Sequence, residues 1–464
     1  MKDKLKVAFL PLYIALYDEV VPEIRESLET YVTRIQDALT GLGVDVERLP
    51  ICRVREEFSQ ALAGVEKLEP DLLVCLHLAY SPSEEALEAL LGTDLPLLLL
   101  DTTPDAAFDQ DTDPARILFN HGIHGVQDLA CMLRRKGRDF EIVAGHYENP
   151  RVLSRAVSII RGAHMARSLR STRVVRVGHA FQGMGDFSVD ESVLRERFGL
   201  EISEVSVDAL SRFVREVSPD AVKNEMERNH SSYDVDVSDE THERSVRVGL
   251  GLRAFLEAEK TDAFSANFQC FQSGEGPVDT VPFLEISKAM SRGIGYAGEG
   301  DVLTASLVAA LLSAFEKTTF TEMFCPDWQG NAVFLSHMGE INPAVLKERP
   351  RLCEKEFRFG GAKNPAVITG AMREGPAVLV NLAPGPDDTF GLLVVPCEVL
   401  EDTRHEQMRD AIRGWVRFSL DLEDLLESYS RHGGTHHSAL VWGDQADAMM
   451  AFGKFMGLDV RRLG

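Results

Sequence analysis

Two uninterrupted apolar runs decide the fold of the N-terminal part of the chain, Leu72-Leu73-Val74-Cys75-Leu76 and residues 95–100. Strands that helices cover on both faces are apolar throughout, whereas strands with one face in water alternate between apolar and polar residues. Helical patterns separate these runs from each other and from a third apolar strand at residues 7–10. This alternation predicts a doubly wound parallel α/β domain over residues 1–170.

A second α/β pattern follows the first. Strands are predicted at residues 174–178 and 263–268, and helices at 243–259 and 304–315, which indicates another doubly wound domain over residues 171–316. Open α/β sheets bind ligands at the carboxyl ends of their strands. The strand at 263–268 ends on Phe268, which is therefore a candidate substrate contact.

The last third of the chain consists of short strands. Turn residues such as Gly360-Gly361 and Pro384-Gly385-Pro386 separate strands predicted at 332–336, 356–359, 366–369, 377–382 and 390–396. Short strands between such turns are typical of antiparallel sheets and barrels. The expected fold is thus two parallel α/β domains followed by an antiparallel, barrel-like domain over residues 317–464.

Composition limits the classes of partner and compartment. The formal net charge of −24 argues against a basic face that binds DNA, RNA or an anionic membrane. The seven cysteines are scattered and form no CxxC pair, as in reduced intracellular proteins. The apolar stretch at residues 7–12 is too short for a signal peptide or a membrane span, so a cytoplasmic location is expected.

The stretch with the clearest chemical content is Gly295-Tyr296-Ala297-Gly298-Glu299-Gly300-Asp301, directly before the predicted helix. Glycine allows the backbone to approach a ligand closely, and Glu299 and Asp301 supply the hard oxygen donors that Mn²⁺ and Mg²⁺ prefer. An acidic residue at a helix start is also a common cap that interacts with the helix dipole. Both interpretations are open for an isolated loop of this kind.

Three further segments favour the metal interpretation, because they add Glu322, His337 and the pair His436-His437. Two carboxylates and two imidazoles make a site for a divalent cation that leaves positions for substrate oxygens. Each histidine taken alone is more often a hydrogen-bonded core or surface residue. A histidine pair directly after Gly433-Gly434 is, however, an uncommon place for a packing residue.

These four segments resemble those of the L-arabinose isomerase family, both in their order along the chain and in their residue patterns. The family pattern has a Gly-(aromatic)-Ala-Gly-Glu-Gly-Asp loop, a Thr-(Ser/Thr)-Phe-x-Glu segment, a His-Met-x-Glu-x-x-Pro segment and a Gly-Gly-x-His-His segment. The resemblance implies that Glu299, Glu322, His337 and His437 are the metal ligands. It also implies that Asp301 orients the loop behind them.

The resemblance extends more weakly to the N-terminal half. It implies substrate contacts for His124, for Tyr17 in Leu16-Tyr17, for Met184 and for His436; ordinary loop packing is an equally good explanation of Met184. His121 stands where the family carries a substrate-binding glutamine, and Tyr13-Ile14 lies near the position of another. In the family, these glutamines contact the sugar. Because both positions differ in this chain, the resemblance does not identify the sugar.

The activity implied is that of a metal-dependent aldose–ketose isomerase of carbohydrate metabolism. It would act on an open-chain pentose or related sugar through a metal-stabilised enediolate, with Glu299 and Glu322 exchanging the proton between C1 and C2. The expected cofactor is Mn²⁺, with Co²⁺ or Mg²⁺ as alternatives. Which glutamate is acid and which is base is left open.

Two other functions stay open at this point. One is an epimerase, or an isomerase of a different sugar, such as a fucose-type, sulfo or deoxy sugar. The other is a non-catalytic sugar-binding homologue, because two α/β domains around a cleft also describe sugar-binding modules. Retention of all four ligand positions disfavours the second.

The resemblance also implies a homo-oligomer. Family members form homotrimers, often paired into homohexamers, in which the N-terminal domain of one subunit reaches the metal cleft of its neighbour. The residues that would cross the interface are His124 and the segment from Tyr13 to Tyr17; without the resemblance, surface loop residues in contact with solvent explain them equally well. A small-molecule sugar is then the expected partner, and nucleic acid and membrane are not.

Overall fold

A computed structural model describes residues 4–274, 276–403 and 406–464. These residues form two compact units, one ending at His164 and the other beginning at Met165. The finer division predicted at residues 170/171 and 316/317 stays a prediction. Among the described residues, no helix is both long enough and apolar enough to cross a lipid bilayer.

The first unit contains one parallel sheet with helices between successive strands. Its strands and helices are β1 (Lys6–Leu12), α1 (Ala15–Val20), α2 (Arg25–Gly41), β2 (Asp45–Arg48), α3 (Arg55–Leu62), β3 (Leu72–His77), α4 (Ser83–Leu91), β4 (Leu97–Asp101), α5 (Ile117–Asn120), α6 (Gly122–Arg135), β5 (Glu141–Ala144) and α7 (Pro150–Arg170). The strand order is β2-β1-β3-β4-β5, and all pairs are parallel. Every residue of β3 is buried, which confirms the doubly wound interpretation of its apolar run.

The second unit begins with a smaller parallel sheet. Its elements are β6 (Arg173–Val177), α8 (Glu191–Phe198), β7 (Glu201–Val205), α9 (Asp208–Glu216), α10 (Pro219–Ser232), β8 (Asp234–Asp236), α11 (Asp239–Ala258), β9 (Ala263–Ala266), α12 (Phe283–Ser291), β10 (Gly295–Gly298) and α13 (Val302–Ala314). The sheet order is β10-β9-β6-β7, again parallel. Helix α13 is apolar on nearly all sides, as expected of a helix enclosed by the core, and it packs against β10 and against two later strands, Thr318–Asp327 and His437–Trp442.

The remaining residues build a closed barrel. The elements are β11 (Thr318–Asp327), β12 (Ala332–Ser336), β13 (Arg351–Glu354), β14 (Ala366–Ala371), β15 (Gly375–Pro384), β16 (Phe390–Val399), β17 (Ile412–Phe418), α14 (Leu422–Arg431), β18 (His437–Trp442), α15 (Ala446–Phe455) and β19 (Asp459–Arg462). The strands β16-β15-β18-β11-β12-β17 are antiparallel neighbours, and β17 pairs with β16 to close the ring. The predicted antiparallel barrel is therefore confirmed.

The strand predicted at residues 356–359 is wrong. The strand of this region is β13, which pairs with β14, and the ladder ends where Lys355 N donates to Pro365 O. Beyond that point the side chain of Asn364 accepts the hydrogen bond of Phe357 N at 3.0 Å, in place of a neighbouring strand. The alternating Phe357 and Phe359 resemble a strand in sequence, but both rings pack around Phe268.

Candidate metal centre

The glycine-rich loop after β10 presents Glu299 with an unusual backbone. Glu299 has φ of 65°, a left-handed conformation that non-glycine residues seldom adopt and that often marks functional loops. The flanking glycines are required by space. A Cβ on Gly300 would lie 2.6 Å from the Cα of Ala180, and one on Gly298 would lie 3.2 Å from the His337 ring.

Asp301 serves two partners at once. Its Oδ1 accepts a hydrogen bond from Thr304 N at 2.9 Å and so caps helix α13, which confirms the capping interpretation of this residue. Its Oδ2 lies 2.9 Å from Nδ1 of His437. The carboxylate is fully buried and fixes the orientation of that imidazole, so that Nε2 faces Glu299 and Glu322.

Barrel register brings the other predicted ligands together. Glu322 on β11 stands directly opposite His437 on β18, and opposite Ser336, the residue before His337, on β12. The Oε1 atom of Glu322 lies 3.0 Å from Nε2 of His437 and 3.3 Å from Nε2 of His337. Three strands that are separated along the chain thus place one carboxylate between two imidazoles.

His337 is oriented by a residue that sequence reasoning overlooked. Its Nδ1 lies 2.5 Å from Oε2 of Glu340, and the other oxygen of Glu340 accepts a hydrogen bond from Tyr296 at 2.9 Å. Both Glu340 and Tyr296 are buried. The available signal was the spacing His-Met-x-Glu, which places a carboxylate three residues after the histidine.

Aromatic rings enclose the imidazole of His437. Phe187 stacks on it with the centroids 5.0 Å apart, and Phe320 meets both His437 and His337 edge-on. In this apolar surround, Oε2 of Glu299 and Nε2 of His437 are buried and make no hydrogen bond of suitable geometry among the described residues, although Nε2 of His437 lies 3.0 Å from Oε1 of Glu322 and 3.5 Å from Oε2 of Glu299. Buried polar atoms left in this way are costly, and a bound cation is the partner that suits both.

The charges of these groups stabilise one another. Burial opposes ionisation of Glu299, but the neighbouring His436 and His437 imidazoles lower its pKa to about 2. Burial likewise opposes ionisation of Glu322, yet His337 and His437 hold the pKa of that carboxyl well below its usual range.

The two buried histidines are shifted in the opposite direction. Burial lowers the pKa of His337, but Glu340 and Glu322 outweigh burial and raise it to about 10. Burial also opposes the charged form of His437, and Asp301, Glu299 and Glu322 raise its pKa well above the ordinary value. Without a bound cation, these raised pKa values favour the protonated form of both imidazoles.

Two four-residue sets can be drawn from this geometry. Glu299, Glu322, His436 and His437 each offer one donor atom such that all four atoms lie within 4.8 Å of one another. The sequence resemblance implied His337 in place of His436, and Nε2 of His337 lies 3.3 Å from Oε1 of Glu322. The two sets share Glu299, Glu322 and His437, and they differ in whether His337 or His436 is the fourth ligand.

His436 is held by a second overlooked residue, Asp186. The carboxylate oxygen Oδ2 lies 2.6 Å from Nδ1 of His436 and accepts a hydrogen bond from its backbone N at 3.0 Å. Burial raises the pKa of Asp186, but these bonds outweigh burial and lower it. The ring is thereby turned so that Nε2 lies 3.7 Å from Oε2 of Glu299.

The other predicted substrate contacts of the second unit, Met184 and Phe268, lie beside residues that contact this centre. Met184 is half-buried and precedes Asp186 and Phe187, both of which contact the histidine pair. The strand predicted to end on Phe268 ends two residues earlier, at Ala266, and Phe268 begins a short 3-10 helix. Phe268 packs against Phe181, whose N donates to the backbone oxygen of Glu299 at 2.8 Å.

The predicted contacts of the first unit form their own cluster. The hydroxyl of Tyr17 lies 2.8 Å from Nε2 of His121, the two rings stack, and His121 meets His124 edge-on. His121 is the residue that replaces the glutamine of the family. It therefore joins the same cluster as Tyr17 and His124.

Two domains of the chain match a known protein family. Residues 173–316 match the L-arabinose isomerase central domain, and residues 317–459 match the L-arabinose isomerase C-terminal domain. The L-arabinose isomerase of Nocardioides sp. is 28% identical over 455 residues, which cover 94% of this chain and 89% of that protein. That of Geobacillus kaustophilus is 25% identical over 392 residues, covering 82% of this chain and 78% of the relative.

Among solved structures, a periplasmic solute-binding protein from Actinobacillus succinogenes with bound D-allose is 12% identical. It covers 67% of this chain and 92% of its own, with a TM-score of 0.18, which is no evidence of a shared fold. The domain matches, the relatives and the geometry of the centre agree, and the chain belongs to the L-arabinose isomerase family of aldose–ketose isomerases.

Proposed function

We propose that this chain is a metal-dependent isomerase that interconverts an open-chain aldose, a pentose or a related sugar, with its ketose. One observation carries the proposal: two carboxylates and a buried imidazole converge on one point, where Glu299 Oε2 and His437 Nε2 are buried and make no hydrogen bond of suitable geometry among the described residues. Carboxylate oxygens and imidazole nitrogens suit Mn²⁺, with Co²⁺ or Mg²⁺ as alternatives.

Glu299, Glu322, His337 and His437 would hold the cation. When bound, it supplies positive charge that stabilises the negative charge developing on the two adjacent oxygens of the sugar. Asp301 and Glu340 keep the Nε2 atoms of His437 and His337 directed to the centre, because each engages the Nδ1 atom of its histidine.

Glu299 and Glu322 are the proposed proton-transfer groups. Their lowered pKa values keep both carboxylates ionised at neutral pH, so each begins as a base. One takes the proton from C2 of the aldose, which gives an enediolate, and a proton that has exchanged with solvent is added to C1. The proton of the C2 hydroxyl moves to the oxygen on C1, so that C2 becomes the carbonyl carbon of the ketose. The strained backbone of Glu299 supports this assignment, since such strain persists at positions where the direction of a side chain matters.

Sugar hydroxyls would be read by residues around the centre. His436, fixed by Asp186, presents Nε2 beside Glu299, and Met184 and Phe268 lie on the loops that flank it. We assign to the Tyr17 and His124 cluster the remaining contacts, supplied by a neighbouring subunit of a homotrimer or homohexamer. The family resemblance supports this sharing.

A second candidate is an isomerase or epimerase of a modified sugar. The observation that favours it is His121, whose imidazole replaces an amide and is already bonded to Tyr17. A site that reads a hydroxyl through different donors discriminates strongly between sugars.

The direct test is a screen of pentoses, hexoses and deoxy sugars with Mn²⁺, Co²⁺ or Mg²⁺, following ketose formation. Reaction of the best substrate in D₂O should place deuterium at the carbon that receives the proton. A metal-stripped sample is the matched control. Full transfer of label from C2-deuterated substrate without any solvent label would contradict the base role of the glutamates, and inversion at C2 without ketose would establish the epimerase.

The shared site has its own test. Inactive Glu299→Gln subunits mixed with inactive His124→Ala subunits should recover part of the activity, because some interfaces then join an intact metal centre to an intact His124. Absence of recovery despite demonstrated subunit exchange, or a fully active monomer, would contradict it.

A further inference from the structure

A thiol and an imidazole meet in a cavity outside the metal centre. The Sγ atom of Cys270 lies 3.2 Å from Nδ1 of His179, and both residues line a cavity of about 540 Å³. The cavity lies at the carboxyl ends of β6 and β7, because Gly178 and Ser206 directly follow those strands and line it. Its size is within the range of small-molecule sites in proteins.

The pair is held in place and is accessible. Cys270 is partly exposed and His179 is exposed, whereas four of the other six cysteines are buried. The thiol packs against the backbone of Gly178, where a Cβ would come within 2.5 Å of the sulfur. An imidazole nitrogen at hydrogen-bond distance from a thiol is the arrangement that activates sulfur nucleophiles.

We propose that Cys270 is a modification site for neutral or cationic low-molecular-weight disulfides, with His179 as its base. His179 takes the thiol proton and the sulfur of Cys270 attacks one sulfur of the small disulfide. The disulfide bond of the reagent breaks, a mixed disulfide forms on Cys270, and the departing thiolate takes the proton from His179. Cys270 is oxidised and the reagent is reduced to one thiol.

The charge preference follows from the walls of the cavity. Glu204 and Asp208 line it, and no lysine or arginine does among the described residues. Arg176 pairs with Glu204 at 3.0 Å, so the negative charge of the wall rests mainly on Asp208. Acidic walls repel anionic reagents and raise the local concentration of cations.

The modification would be felt at the Glu299 loop. The carbonyl oxygen of His179 accepts a hydrogen bond from Asn267 at 3.0 Å. The next residue, Ala180, lies directly against Gly300, and Phe181 N donates to Glu299 O at 2.8 Å. A group attached to Cys270 displaces His179, and this short segment carries the displacement to residues 299–300.

The reactivity is tested on the full-length protein with cystamine, mapping adducts by mass spectrometry over time. The exposed thiols of Cys131 and Cys325 are internal controls. Cys270 should react about tenfold faster than either, and His179→Gln should remove that advantage without changing the controls. Equal rates at the three cysteines, or an unchanged Cys270 rate in His179→Gln, would overturn the proposal.

Charge selection is tested by repeating the series with oxidised glutathione. The ratio of the Cys270 rate to the Cys325 rate should fall several-fold with this anionic disulfide. An equal or larger ratio would refute the assigned reagent class.

The link to the loop is read by hydrogen–deuterium exchange, which needs neither metal nor sugar. The cystamine adduct should exchange about tenfold faster in peptides that contain Phe181, relative to the protein restored with dithiothreitol. The matched control is Cys270→Ser treated with cystamine, which should not change. Unaltered exchange in the confirmed adduct would overturn the link.

Discussion

Two histidine environments in this chain show how similar burial leads to opposite charge. His77 at the end of β3 and His337 after β12 are 2% and 8% exposed. Both ring nitrogens of His77 lack a hydrogen-bond partner among the described residues, and burial lowers its pKa to about 4. His337 experiences the same desolvation, but Glu340 and Glu322 reverse it and raise the pKa to about 10.

The difference teaches what makes a buried histidine functional in this protein. His77 is a packing residue of the first unit, and its ring supports the close approach of helix α6, where a Cβ on Gly125 would lie 2.4 Å from the ring. His337 belongs to a carboxylate network that keeps its Nε2 atom directed to the metal centre. This contrast can be tested in five ways, in order of decreasing expected effect.

Removal of one carboxylate from the network should have the largest effect. Glu322→Gln is expected to weaken Mn²⁺ binding by more than about a hundredfold and to abolish isomerase activity, because Glu322 lies between His337 and His437. Metal content by atomic absorption and thermal stability in excess Mn²⁺ measure it. The control is Glu423→Gln, at an exposed position on α14.

The same measurement decides the fourth ligand. His337→Asn should lose bound manganese, whereas His436→Asn should retain it and lose activity. The opposite result would make His436 the ligand, and unchanged metal content in Glu322→Gln would refute the whole centre.

The second test is the pH dependence of metal binding in the wild type. Because the pKa values of His337 and His437 are raised, the metal-free protein carries protons at pH 7 that a cation must displace. Affinity for Mn²⁺ should therefore rise with pH, by about tenfold per pH unit for each proton released. Calorimetry in two buffers of different ionisation enthalpy measures the number of protons released when Mn²⁺ binds. A value of zero would contradict the raised pKa values of His337 and His437.

The third test concerns His77. Its folded pKa of about 4 lies below the unfolded value of 6.5, so its contribution to stability is complete above pH 6.5 and is lost as the pH falls toward 4. At pH 5 the loss is about 2 kcal/mol, at 1.36 kcal/mol per pKa unit. His77→Gln should flatten the acid limb of thermal denaturation, while the exposed control His432→Gln should leave it unchanged.

The fourth test separates the two contacts of Asp301. Asn at this position can still cap α13, but it removes the negative charge from His437. Asp301→Asn should therefore keep the melting temperature of the metal-free protein within a few degrees while lowering Mn²⁺ affinity about tenfold to a hundredfold. Asp190→Asn, at the cap of α8, is the matched control. If Asp301→Asn lowers the fraction of folded protein but leaves the Mn²⁺ affinity of the folded protein unchanged, Asp301 acts only as the cap of α13.

The smallest effect is expected at Asp186. Asp186→Asn should lower kcat/KM about tenfold and leave metal content unchanged, because Asp186 only orients the His436 ring. Combining it with His436→Asn should add no further loss, as expected when one residue acts through the other. Full additivity in this double-mutant cycle would mean that Asp186 has an independent role.

Much of the fold could be predicted because its strands have distinct patterns. The continuous apolar runs of β3 and β4 identified a parallel sheet, and the turn residues between β15 and β16 identified antiparallel pairs. The false strand at residues 356–359 arose because alternating phenylalanines satisfy strand periodicity wherever they pack. Only the Asn364 side chain, which occupies the backbone donor of Phe357, distinguishes this loop from a strand.

The sequence by itself determined which residue types the candidate metal centre can use: the glycine-flanked Glu299, the glutamate of β11, the histidine after β12 and the histidine at the start of β18 all stand in ordered motifs. Only the tertiary structure decided which groups orient them. Asp186 and Glu340 act through distances of 2.6 Å and 2.5 Å that depend on strand register and loop packing. The physical reason is that a ligand must belong to a small set of residue types, which a sequence displays, whereas an orienting contact depends on position in space. The same reason explains the different pKa values of His77 and His337. Both are histidines, but only the tertiary structure places carboxylates beside His337 that reverse the effect of burial.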